Sequence, residues 1–133
     1  MSILVESPPA YDPRRVSSAA LQGFFNLSER WGLTATQERT LMGSPPASTF
    51  FKWKAEGTAP RLGRDVLDRI SYLLGIYKAL NILLPSARAA DEWVKKPNTA
   101  SLFHGQSALD RMLGGSLVDL ADVRRYLDVQ RGL

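Results

Sequence analysis

The chain has 133 residues and a mass of 14.7 kDa, room for one domain or for two small helical subdomains sharing a core. It contains no cysteine and a single histidine, His104, which excludes a disulfide framework and leaves no Cys/His cluster to hold a metal. Seventeen basic and thirteen acidic side chains give a net charge of +4 and a pI near 9.7, a balance that permits an anionic partner.

The first nine residues carry Glu6, Pro8 and Pro9 where a signal peptide needs a basic start and a long apolar core, so the expected location is the cytoplasm. The longest apolar stretch, Ile70 to Leu84, is interrupted by Ser71, Gly75, Lys78 and Asn81, short of the roughly 18 residues of a membrane span. Residues 1–80 hold ten Lys or Arg against seven Asp or Glu, and residues 81–133 seven against six. The basic excess therefore leans N-terminal, where Lys52, Lys54, Arg61 and Arg64 fall close together.

In chain order, residues 1–16 contain Pro8, Pro9 and Pro13 and read as a flexible arm closed by Arg14 and Arg15. A first helix is predicted from about Ser17 to Arg30, with Leu21, Phe24, Phe25 and Leu27 on one face and Gly32 as its stop. Thr34 and Gln37 form a capping-box signature for a second helix, which Gly43 ends. Proline is tolerated in a first helical turn, so a third helix can start at Ser44-Pro45-Pro46 and run through Ala55 to a stop at Gly57.

After a loop from Thr58 to Arg64, a long helix starts at Asp65 with Val66, Ile70, Leu73, Leu74, Tyr77, Leu80 and Leu84 on one stripe. Burying each of these larger apolar side chains contributes roughly 1.5–3 kcal/mol before entropy is counted, which makes this the core helix. Pro85 ends it, and Ser86 can cap a helix running through Trp93. Beyond a turn at Pro97-Asn98-Thr99, Ser107 with Asp110 and Ser116 with Asp119 mark two further helix starts separated by Gly114-Gly115. The last helix turns Leu117, Leu120, Val123 and Tyr126 or Leu127 inward. No segment alternates as a strand does. The chain reads as all-α: an arm (1–16), a helix-turn-helix subdomain (17–64), a central core helix (65–84) and a small helical C-terminal subdomain (85–133).

Residues 34–56 have the helix, glycine turn and helix of a DNA-binding helix-turn-helix. The polar DNA-binding candidates are Ser44, Ser48, Thr49, Lys52 and Lys54; Phe50 and Trp53 would fix the second helix inward, leaving Lys52 and Lys54 for phosphates and Ser48 or Thr49 for base edges. The string Leu41-Met42-Gly43-Ser44-Pro45-Pro46-Ala47-Ser48-Thr49-Phe50-Phe51-Lys52-Trp53-Lys54 resembles an Xre-like helix-turn-helix, with Pro45 and Pro46 replacing the usual polar residues. Neither proline side chain can donate or accept a hydrogen bond to a base.

Further on, Leu73-Leu74-Gly75-Ile76-Tyr77-Lys78-Ala79-Leu80, Trp93, Pro97-Asn98, Phe103-x-Gly105-x-Ser107-Ala108-Leu109-Asp110 and Val123-x-x-Tyr126-Leu127-Asp128 follow in order. Together with the helix-turn-helix, this series resembles the Xre/MbcA/ParS-type antitoxins over about residues 17–133. Thr99-Ala100 and Ala108 depart from the prolines common there. The resemblance implies a non-enzymatic antitoxin without a cofactor that neutralises a RES-domain, NAD-degrading toxin and represses its own operon by binding operator DNA. It also implies a homodimer and hetero-oligomeric toxin–antitoxin complexes.

The expected toxin-binding residues are Arg124, Arg125, Asp128, Arg131, Gly132 and Leu133. A guanidinium suits a nucleotide pocket and binds carboxylates bidentately, and a free chain end at Arg131-Gly132-Leu133 can insert where a packed helix cannot. The competing reading is a helix-turn-helix regulator whose C-terminal helices only dimerise. An enzyme finds no support, because one histidine and no cysteine assemble neither a nucleophile with its base nor a metal centre.

Overall fold

A computed structural model describes residues 11–133, so most of the N-terminal arm lies outside the described residues. Seven α-helices follow in order: α1 Pro13–Trp31, α2 Ala35–Leu41, α3 Ala47–Glu56, α4 Arg64–Leu83, α5 Ala87–Trp93, α6 Ala108–Met112 and α7 Leu117–Gln130. One 3₁₀ turn, Ser101–Phe103, lies between α5 and α6. Among the described residues, strand-like pairing is limited to one antiparallel bridge between Pro97 and Ser107.

Helix α1 starts four residues before the expected Ser17. Asp12 accepts hydrogen bonds from the backbone N–H groups of Arg14 (3.1 Å) and Arg15 (3.3 Å), and Pro13 takes the first helical position. Asp-Pro is thus an N-cap followed by a residue with preset φ, and the expected end of the arm is the helix's first turn. Gly32, at φ 63°, closes α1 in the left-handed conformation. Helix α2 has the anticipated capping box: Gln37 N–H donates to Thr34 Oγ1 (3.2 Å) and Thr34 N–H to Gln37 Oε1 (2.9 Å). Helix α3 begins only at Ala47, after both prolines, with no side-chain cap.

Helix α4 is the spine. Its single expected stripe is a double one: Ile70, Leu73, Ile76, Ala79 and Leu80 are all buried, while Leu74 and Tyr77 are half-buried. Helices on two sides explain this, since α1 packs against one flank and α7 against another. On the α1 side, a Cβ on Gly23 would stand 3.3 Å from the Leu74 methyls, so the two backbones approach closely there. Helix α7 runs parallel to α4, because Arg69 bonds Gly115 near the start of α7 and Arg124 meets Gly75 further along. One continuous core extends from Leu21, Phe24, Trp31 and Phe50 to Leu120, Val123 and Leu127.

Candidate functional site

The helix-turn-helix is held together by a buried carboxylate. Glu38 on α2, 3% exposed, accepts from Ser28 Oγ of α1 at 2.7 Å and from Lys54 Nζ of α3 at 2.6 Å. Lys54 also lies 6.0 Å from the Phe25 ring centre. One of the two lysines expected at phosphates is therefore paired within the subdomain while its side chain stays 42% exposed, because an unpaired Glu38 would be costly to bury.

At the entry to α3, Arg39 Nε donates to the Pro45 carbonyl at 2.6 Å. The preceding turn passes through left-handed Gly43 (φ 91°) and Ser44 (φ 57°). Gly43 is required by more than its φ, since a Cβ there would come within 2.8 Å of Arg69 Nε and 2.9 Å of Asp65 Oδ2.

Phe50 points into the core and Trp53 is half-buried. The outward stripe of α3 is Ser48, Phe51, Lys52 and Ala55, spaced i, i+3, i+4 and i+7, all exposed. Of the five residues expected to touch DNA, Ser44, Ser48 and Lys52 are exposed, Thr49 is half-buried, and Lys54 is bound to Glu38. Phe51, 53% exposed, joins this face although it had no place among the candidates. Its signal was the three-residue step from Ser48, masked because an aromatic beside Phe50 and Trp53 looks like core.

The C-terminal module rests on an aromatic cluster. Phe103 meets Tyr126 edge-on at 5.1 Å and Trp93 edge-on at 5.9 Å, while Trp93 and Tyr126 stack at 6.4 Å. Capping boxes form at both Ser107/Asp110 and Ser116/Asp119. Arg111 ties these pieces together: its guanidinium lies 3.1 Å from Asp122 and 3.3 Å from Asp119 on α7, and donates to the Leu102 carbonyl at 3.4 Å. On α5, the hydrogen bond from Arg88 holds the Glu92 carboxyl below its ordinary range.

The six expected toxin contacts divide into two groups. Arg124 Nε lies 3.2 Å from both Asp128 carboxylate oxygens, and its guanidinium fills the notch left by Gly75, where a Cβ would fall 1.5 Å from Nη1. Arg131 approaches the same Asp128 at 3.8 Å. The tail is not extended. Leu133 N–H bonds the Asp128 carbonyl at 2.9 Å and Gly132 N–H the Val129 carbonyl at 3.0 Å, with Gly132 at φ 82°. These are the two bonds of a Schellman turn, and they correct the expectation of a free end.

Arg125 and Leu133 face outward, and Arg125 has no ion-pair partner among the described residues. They share the outer side of α7 with Val118 and Val129, which are 62% and 61% exposed. Beside its C-terminal end a cleft of about 250 Å³ opens among Leu80, Leu83, Leu84, Trp93, Tyr126 and Leu127. Sequence periodicity placed the charges of α7 outside but could not separate Arg125 from Arg124, whose neighbour across the helix pair is a glycine.

A helix-turn-helix and a second small helical module are built on one shared helix, α4. Residues 12–75 match the model of the antitoxin Xre-like helix-turn-helix domain, and residues 79–132 that of the antitoxin Xre/MbcA/ParS C-terminal toxin-binding domain. The chain is also 49% identical over 127 residues to "Uncharacterized protein y4oB" of Sinorhizobium fredii (strain NBRC 101917 / NGR234), covering 95% of this chain and 94% of that one. The chain belongs to the Xre/MbcA/ParS antitoxin family. The two domains accordingly support a toxin protein and DNA as its partners and a regulatory role. Among the described residues no helix is long and apolar enough to cross a membrane.

Proposed function

We propose that the chain neutralises a RES-domain toxin that degrades NAD, and that it represses its own operon through the helix-turn-helix. The toxin-binding domain match carries this reading, and the exposed side of α7 gives it a surface. Arg125 and Leu133, flanked by Val118 and Val129, make the contact: a cation amid apolar groups suits a pocket that binds a dinucleotide. Arg124, Asp128 and Arg131 hold the last turn, and Gly132 lets it fold back.

On the DNA side, Lys52 takes a phosphate, with Ser44, Ser48 and Thr49 near the bases. The protein works as a homodimer on paired half-sites and in a hetero-oligomeric complex with the toxin.

Co-expression with a RES-domain toxin from the same operon tests the reading. Growth and cellular NAD are restored by the wild-type chain and not by Arg125→Glu. Failure of the wild type to restore either one refutes it. A regulator whose C-terminal helices only dimerise would instead leave both readouts indifferent to Arg125.

A further inference from the structure

The front of α3 is poor in hydrogen-bonding side chains. Pro45, Pro46, Ala47 and Ala55 offer none, and Lys54 is occupied by Glu38. Lys52 is a point charge suited to phosphate, which leaves the Ser44, Ser48 and Thr49 hydroxyls as polar readers. A helix-turn-helix nevertheless presents this helix to the major groove. There the donor and acceptor code is complemented by one apolar group, the thymine C5 methyl.

Phe51 is the side chain that matches it. It sits between Ser48 and Lys52 on the exposed stripe, and its ring packs edge-on against buried Phe50 at 5.1 Å, 75° between planes. The ring is thus braced from behind and turned outward. The Arg39 bond to the Pro45 carbonyl fixes the turn that aims it.

We propose that Phe51 reads thymine methyl groups in the major groove, giving this antitoxin an operator preference set by apolar contact. The inference rests on the DNA-binding reading above. DNA is the occupant because this is the groove-facing helix of a matched helix-turn-helix domain and because Lys52 adjoins Phe51 on the same stripe.

The test uses the full chain and its own promoter DNA, amplified with either thymidine or deoxyuridine triphosphate so that the two duplexes differ only in the methyl groups. The wild type binds the uracil duplex more weakly by roughly fourfold for each methyl contacted, the equivalent of ~0.8 kcal/mol per buried carbon. Phe51→Ala lowers affinity for the thymine duplex to the uracil level and leaves uracil binding within about twofold, while Phe51→Leu keeps part of the preference. Lys52→Ala weakens both duplexes alike and flattens the salt dependence.

Equal wild-type affinity for the two duplexes overturns the proposal. So does a Phe51→Ala loss that is the same on both. If Phe51→Ala turns a dimer into a monomer without changing the thymine preference, the residue belongs to a contact between copies and the proposal fails. Absence of binding to the thymine duplex refutes the DNA-binding reading itself, and the inference with it.

Discussion

Lys52 and Lys54 are two positions apart on α3 and do different work. Lys54 neutralises the buried Glu38, so Lys54→Ala leaves that carboxylate with Ser28 alone and costs about 1–3 kcal/mol, measurable by urea denaturation. Lys52 is exposed, and Lys52→Ala leaves stability within about 0.5 kcal/mol while weakening DNA binding. Arg69, 8% exposed, bonds Asp65 and the Gly115 carbonyl, both at 2.9 Å, and lies under Gly43. Asp65 is largely solvated, so Arg69→Ala forfeits hydrogen bonds rather than stranding a charge, at roughly 1.5–3 kcal/mol. Gly75→Ala separates stability from positioning. Alanine adds about 1 kcal/mol of helix propensity but displaces the Arg124 guanidinium, a flexible group that can move aside. The melting temperature therefore changes little while toxin affinity falls, because Asp128 loses one of the two arginines around the last turn.

At the scale of elements, the caps were the most legible feature. Thr34, Ser86, Ser107 and Ser116 all accept a backbone N–H as their positions suggested, since a cap is a local arrangement needing only its own few residues. The start of α1 is equally local, set by Asp12 and Pro13, although Pro13 also reads as one more proline of the arm beside Pro8 and Pro9. Asp12→Ala should cost about 0.5–2 kcal/mol by circular-dichroism melting. The Schellman turn was also written in Gly132 followed by an apolar residue. The second buried face of α4 was not legible, since it depends on α7, far along the chain, where the Gly115 carbonyl accepts from Arg69. The pairing of Lys54 depends in the same way on Glu38 from another helix. The candidate segments were thus readable in the sequence, while which of their side chains are exposed and which are paired depends on the packing.

At the scale of the molecule, α4 joins the two matched domains, covered by α1 from one and α7 from the other. The full chain should therefore unfold in a single transition by both fluorescence and circular dichroism, and removing residues 116–133 should lower the melting temperature of the helix-turn-helix as well, by uncovering the face of α4 that packs on α7. In the proposed arrangement Lys52 meets DNA from the N-terminal matched domain and Arg125 meets the toxin from the C-terminal one. The most direct test of this arrangement is the rate of NAD consumption by the purified RES-domain toxin, titrated with the full chain. Wild type and Lys52→Ala are predicted to stop the reaction at a fixed ratio, whereas Arg125→Glu, folded to the same melting temperature, leaves it running. Undiminished NAD consumption with the wild type, or equal inhibition by Arg125→Glu, would contradict it.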